Sequence, residues 1–409
     1  MVRSSGRRRR PAGRGRGQGS VRPVARRGWD GGVRRVLATV AALVLGPACA
    51  PGEARYEVRL LTESCMGTPP LEGVHYLRFR LIGEGLAPVD RYVPVERGAE
   101  GVPEVPAGRA RVLEVRGYTA LPGEGGRVVS VGRSHPFDVP ESAGDGRPTV
   151  PVALRRVGEY SRPGSAEDGC LLLGTPRAGH TATLLADGRV LLAGGYELDL
   201  NGVRTVLSSA ELFDPVSSTL EPLPALEVEG RSAARAFHTA TRLPDGKVFL
   251  AGGEVDSPEG PTPLNRALLV DVAERTYSEV VMPMARSHHA AALDEGGRVL
   301  LVGGVEAGGN VVQYADGYEA GSGRTFVVGT PVPRVGMGLV PVQGGQGLAV
   351  VGGSDGWALR PEVLLFRYNG SNFSLVNSEG RLREPRRDAA LVSFGGPEQL
   401  LLLGGYDSP

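Results

Sequence analysis

The chain has 409 residues, enough for two domains with a sizeable core, and its 62 glycines and 32 prolines exclude a helical protein and, lacking a three-residue period, a collagen-like fibre. Apolar residues fall in short runs between turn residues, the pattern of an all-β fold. The formal charge of +1 hides an asymmetry: twelve arginines and a single acid, Asp30, precede Cys49, and the rest carries 34 basic and 44 acidic residues, an excess of negative charge that phosphate backbones repel and that argues against nucleic-acid binding.

In chain order, the first element is an export signal. Arg34 and Arg35 precede VLATVAALVLGPA, an uncharged run of 13 residues ending before Cys49. A charged patch, a short apolar stretch and small residues form a secretory signal. The run is shorter than the roughly 20 residues of a membrane-spanning helix. The arginine-rich start also reads as a nucleic-acid arm, the lesser alternative because the apolar run and Cys49 come directly after it. Residues 1–30 are longer and richer in arginine than an ordinary signal, and a start of translation near Val33 is expected.

The stretch LGPAC resembles the lipobox of bacterial lipoproteins, with Gly46 where leucine is usual and Leu45 one place earlier. That resemblance implies lipidation of Cys49, which becomes the first residue, and an anchor in a membrane of the cell envelope, outer membrane or surface; plain secretion is the alternative. Export into an oxidising compartment makes the two remaining cysteines, Cys65 and Cys170, a candidate disulfide. Two buried thiols are the other reading.

Residues 50–158 read as a small antiparallel β-sandwich. Tyr56, Val58 and Leu60 alternate with Glu57 and Arg59, and Leu77, Phe79 and Leu81 with Arg78 and Arg80, so each strand has one buried and one wet face. The stretch VPAGRARVLEVRGY resembles immunoglobulin-like or transthyretin-like modules of bacterial surface proteins, implying a spacer or adhesion role. The glycine-rich GEGG at 123–126 lacks the strand–helix setting of a phosphate-binding loop. Residues 159–170 are polar and turn-rich, a linker.

From residue 171 a unit repeats. Glycine pairs fall at Gly194–Gly195, Gly252–Gly253, Gly303–Gly304, Gly352–Gly353 and Gly404–Gly405, at intervals of about 50 residues. In the first copy HTATLL, VLLAGG, SAELFDP and STLEPLP are four strands, and Asp187-Gly188, like Asp245-Gly246, suits a two-residue turn with positive φ. The run Val190-Leu191-Leu192 suits a strand buried on both faces, and each glycine pair a bend where a side chain would collide. This pattern resembles the kelch repeat, its bacterial form in particular, which implies a β-propeller over 171–409 of about five blades, the fifth stopping after two strands. An open ring or a truncated product is expected, truncation being favoured.

Arg177, Arg235, Arg286, Arg334 and Arg386 share one register, and His180, His238 and His289 another, replaced by Met337 and Ala389. A residue recurring in blade after blade belongs to the blade: histidines hydrogen-bonding to backbone groups, arginines packing and forming salt bridges along the rim. The sharper alternatives are a ring of imidazoles holding a metal and a ring of arginines holding an anionic sugar or carboxylate. His288 stands outside the register. The loops after the glycine pairs are long and unlike one another, as recognition loops are; they carry Tyr196 and Trp357 as candidate binding residues, with blade packing an equal reading for Trp357.

The functional expectation is a non-enzymatic envelope protein that binds a protein or glycan, with no cofactor, metal or catalytic residue assigned. The alternative is a carbohydrate-active enzyme. The galactose-oxidase-like propellers need a tyrosine–cysteine radical cofactor and copper, and the repeats contain no cysteine after Cys170. No HExxH or phosphate-loop pattern occurs. A purely structural envelope component is a third possibility.

Overall fold

The computed structural model describes residues 53–408 apart from 55, 103–104, 141–147, 160–161, 163, 166–168, 377–379 and 394–398. The arginine-rich extension, the export signal and Cys49 lie outside the described residues. The described chain is all-β: strands are joined by loops and short 3₁₀ turns, with no α-helix among the described residues.

The first region packs two layers. Strands Leu86–Pro94, Tyr76–Gly83, Gly108–Tyr118, Val128–Arg133 and Arg155–Arg156 pair antiparallel in that order. Glu57–Leu61 pairs with Thr149–Ala153 in parallel, which corrects the wholly antiparallel expectation. A parallel pair needs a long crossover, and here the rest of the region lies between its two strands. The alternation read from sequence holds: Tyr56 and Val58 are buried, and Leu77, Phe79 and Leu81 are fully buried among Leu113, Val115, Val150 and Val152.

Cys65 and Cys170 form a disulfide with Cα atoms 5.1 Å apart. The segment expected as a plain linker contains a short hairpin, Gly164–Ser165 against Gly169–Cys170, so Cys170 is positioned by strand pairing.

The second region is a β-propeller-type array of four four-stranded antiparallel sheets followed by a two-stranded hairpin. Blade 1 is Thr181–Leu184, Val190–Ala193, Ala210–Asp214 and Thr219–Leu223, the four strands read from the sequence. Blade 2 is Thr239–Arg242, Val248–Ala251, Arg266–Asp271 and Thr276–Val281. Blade 3 is Ala290–Leu293, Arg298–Val302, Tyr314–Glu319 and Arg324–Pro331. Blade 4 is Val335–Val342, Gly347–Ser354, Leu364–Tyr368 and Phe373–Val376. The fifth unit pairs Ala390–Ser393 with Leu400–Leu403.

Successive sheets meet through their first strands, and their faces share apolar layers. In blade 2, Leu250 and Leu268 pack against Leu191 and Leu212 of blade 1, while Phe249 and Ala251 face Val299 and Leu301 of blade 3. That explains the unbroken apolar runs: successive side chains point to opposite faces, and both faces are covered. At about 25 cal/mol per Å² of apolar surface, covering the second face adds substantially to the stability of an inner sheet. In the fifth unit Leu400 and Leu402 pack on blade 4, while Leu401 and Leu403 are exposed.

The tight turns differ from expectation. Leu185 accepts from the Gly188 N–H and donates to Arg189 O. The loop is therefore three residues, Ala186–Gly188, with positive φ only at Gly188, the geometry of a type I turn followed by a left-handed glycine. Asp187 keeps ordinary φ and instead accepts the Arg189 N–H at 3.0 Å. Lys247 closes the same loop on Leu243.

Candidate functional site

The registered residues make a clasp that recurs at every blade boundary. The second glycine of each pair donates its N–H to the carbonyl of the registered arginine in the next blade: Gly195 to Arg235, Gly253 to Arg286, Gly304 to Arg334 and Gly353 to Arg386, at 2.8–2.9 Å. Each arginine's side chain turns back to the first glycine of its own blade. Arg177 Nη1 donates to Gly194 O, Arg286 to Gly303 O, Arg334 to Gly352 O and Arg386 to Gly404 O at 2.8–2.9 Å, and Arg235 to Gly252 O at 3.2 Å. Both glycines have positive φ, and a Cβ on Gly194 or Gly252 would run into that arginine carbonyl. Backbone approach therefore requires glycine there.

The arginines differ in what balances their charge. Arg177 pairs with Glu211 at 3.0 Å and Arg286 with Asp316 at 2.9 Å, the latter pair wholly buried. Arg235 is buried and is held by the carbonyls of Ala233, Leu250, Gly252 and Arg266; Leu268 stands where blade 1 has Glu211 and blade 3 has Asp316. Burial lowers the Arg235 pKa to about 10. It pushes Asp316 up to about 6, against the attraction of Arg286. Arg334 lies 3.5 Å from Glu362 and Arg386 2.8 Å from Glu384, so the expectation of packing and salt bridges holds at four of the five positions, with further guanidinium donors spent on blade carbonyls.

The histidines form a ladder across blades. His238 Nε2 lies 2.9 Å from Thr181 Oγ1, and His289 Nε2 2.9 Å from Thr239 Oγ1. The partner is a threonine hydroxyl of the preceding blade rather than the backbone group expected. Burial first, then the neighbouring arginine, lowers the pKa of both rings well below the ordinary value. Among the described residues no three His, Cys, Asp or Glu side chains gather closely enough to hold a metal.

The residue just before this register is different. Positions 179, 237, 288, 336 and 388 are all left-handed, occupied by Gly179, Phe237, His288, Gly336 and Asp388. The twist aims the N–H at the preceding blade: Phe237 N donates to Gly179 O, His288 N to Phe237 O and Asp388 N to Gly336 O. Glycine meets this need without strain; phenylalanine and histidine adopt it at a cost of about 1 kcal/mol or more each. We take these two strained side chains as the starting point for a candidate site.

Around them lies a cluster drawn from three blades. The His288 ring stacks on Phe237 at 4.1 Å between centroids, and Phe237 meets Tyr196 at 5.6 Å. The loops after the first two glycine pairs are hairpins: Tyr196–Leu198 with Arg204–Val206, and Glu254–Ser257 with Gly260–Pro263. Arg204 lies over the Tyr196 ring at 4.8 Å and reaches across to the second hairpin, 2.9 Å from Glu254 and 3.4 Å from Asp256. Ser287 Oγ donates to Glu254 at 2.8 Å, and His288 Nε2 is 3.6 Å from the same carboxylate. Burial alone would raise the Glu254 pKa, but His288, Ser287 and Arg204 together hold it at about 2. Glu254 is thus a fixed anion, and His288 is exposed beside it. The arrangement sets two stacked rings, Phe237 and His288, beside a tilted Tyr196, with the fixed charges of Arg204 and Glu254 at their edge.

Of the candidate binding residues, Tyr196 belongs to this cluster. Trp357 is 89% exposed on the loop after the fourth glycine pair, so it is not a blade-packing residue, and among the described residues the ring contacts of Tyr196 are with Phe237 and Arg204. Sequence reading missed Phe237, Arg204, Glu254 and Ser287. The available signal was at 237 and 288, where two of the other three full repeats carry glycine. No known family model matches the chain, and no curated protein matches it. Among solved structures, one titled "Structure of YjhT" is 13% identical, with a TM-score of 0.46 over 72% of this chain and 87% of that chain.

Proposed function

We propose that this protein is an exported, kelch-type propeller that binds a glycan or a protein on the face carrying the two hairpins, without turning it over. The observation that supports this most is the Tyr196–Phe237–His288 aromatic cluster, bordered by Arg204 and Glu254, with Phe237 and His288 kept at the expense of backbone strain. A cluster of that kind recognises a sugar face or an aromatic side chain. Glu254, held at about 2 by its partners, is poorly matched to proton transfer near neutrality. A galactose-oxidase-like reaction is disfavoured because Cys170 is bonded to Cys65, leaving no thiol in the repeats for the radical cofactor.

The test is a glycan array probed with the wild type and with Arg204→Ala, run beside an assay of sugar oxidation and hydrolysis. Retained ligand that falls by roughly tenfold or more in the variant, as expected for the loss of a charge-assisted contact, supports the reading. Turnover of a bound sugar, or binding indifferent to Arg204, contradicts it. We further propose that the protein is anchored to an envelope membrane through lipid on Cys49. Labelling of producing cells with a clickable palmitate should give a signal that Cys49→Ala abolishes; no signal in either strain rejects the anchor.

A further inference from the structure

A second concavity lies between the sandwich and blade 1, away from the hairpin face. Its cavity measures about 690 Å³, within the range of small-molecule sites, which favour such junctions. One wall is the outward face of the sandwich sheet, where cross-strand pairing sets Arg116 beside Val131 and Val131 beside Arg155, with Glu114 beside Arg133. The other wall is blade 1's outer turn, Phe213, Pro215 and Val216. Two contacts brace the walls: His135 Nε2 meets Asp214 Oδ1 at 2.9 Å, and Arg155 Nη2 donates to Ser218 Oγ at 2.9 Å.

The charge in this cavity is unbalanced. Three arginines line it against one carboxylate, Glu114, which lies 4.0 Å from Arg116. Arg155 donates only to neutral oxygens, those of Glu63, Leu154 and Ser218, and burial lowers its pKa. Arg133 is exposed, and no ion pair joins it to a described carboxylate. Several blade arginines are balanced instead: Arg177, Arg204, Arg286 and Arg298 each meet a carboxylate within 3.0 Å, Arg235, held by carbonyls, being an exception. A net charge of two positives, held in place by strand register over an apolar ledge, is complementary to a compact anion with more than one carboxylate. A guanidinium binds each carboxylate with two parallel hydrogen bonds.

We infer that this junction is a binding site for a small polycarboxylate, whose carboxylates bridge Arg116, Arg133 and Arg155 while its carbon skeleton rests on Val131, Phe213 and Pro215. The site is independent of the hairpin face, and its ligand would tie the sandwich to the propeller.

The test is calorimetric titration with tricarballylate, with its neutral trimethyl ester as control, in a buffer free of carboxylates. Arg133→Gln is the primary variant because it removes no described side-chain contact, and Arg116→Gln the second. The wild type is expected to bind the acid and not the ester, and each variant to bind roughly tenfold more weakly with an unchanged melting temperature. His288→Asn should bind as the wild type does, which separates this site from the hairpin face. Failure of the wild type to bind, equal binding of the ester, or full affinity in both arginine variants overturns the inference.

Discussion

His238 and His289 show how one side chain can carry a blade boundary and tie the fold to pH. Each ring is neutral, because burial and the nearby arginine penalise the charged form. The folded pKa therefore lies below the ordinary value near 6.5, and the unfolded chain takes up protons first. Stability from these rings is complete above that value and declines as pH falls below it. Asp316 acts in the opposite sense, since its raised pKa lets the folded state hold a proton up to about 6. The two effects separate by difference. The melting temperature should fall between about pH 8 and about pH 5, and His238→Asn/His289→Asn, with Asp316 untouched, should flatten that fall. An equally steep fall in the double variant would exclude the histidines as its cause.

Glycine pairs, apolar runs and turn residues placed the strands of blade 1 almost to the residue, because spacing and alternation register both burial and bend. The turns were misjudged at Asp187, whose carboxylate rather than its φ closes the loop, and no local pattern distinguishes those two roles. The parallel pairing of Glu57–Leu61 with Thr149–Ala153 was equally invisible, since a strand's own alternation is silent about its partner's direction. The disulfide acts at this scale as well. It links residues 105 apart, and closing a loop of about 100 residues restricts the unfolded chain by about 4–5 kcal/mol in the chain-entropy view. Reduction, or Cys65→Ser with Cys170→Ser, should lower the melting temperature by several degrees. An unchanged melting curve would mean that the hairpin at Cys170 holds the junction unaided.

Across the whole molecule the repeat separates two kinds of residue. Those in register, the arginines, the histidines and the glycine pairs, knit each blade to the next. Those that break the register, Phe237 and His288 with the hairpin residues Tyr196, Arg204 and Glu254, gather on one face, where we propose that the ligand binds. The first kind was legible because repetition exposes it. The second was only half legible: His288 stood out as a departure, while Arg204 and Glu254 meet through the packing of two hairpins that no spacing encodes. The most direct measurement is thermal unfolding of Gly252→Ala beside His288→Asn. Gly252 has a φ of 57°, and its Cβ would strike the Arg286 carbonyl, so alanine there should cost roughly 2–4 kcal/mol and several degrees. Asparagine tolerates the left-handed conformation of position 288 and should leave the melting temperature nearly unchanged while weakening ligand retention. A stable Gly252→Ala, or a His288→Asn that unfolds early, would contradict the division between clasp and site.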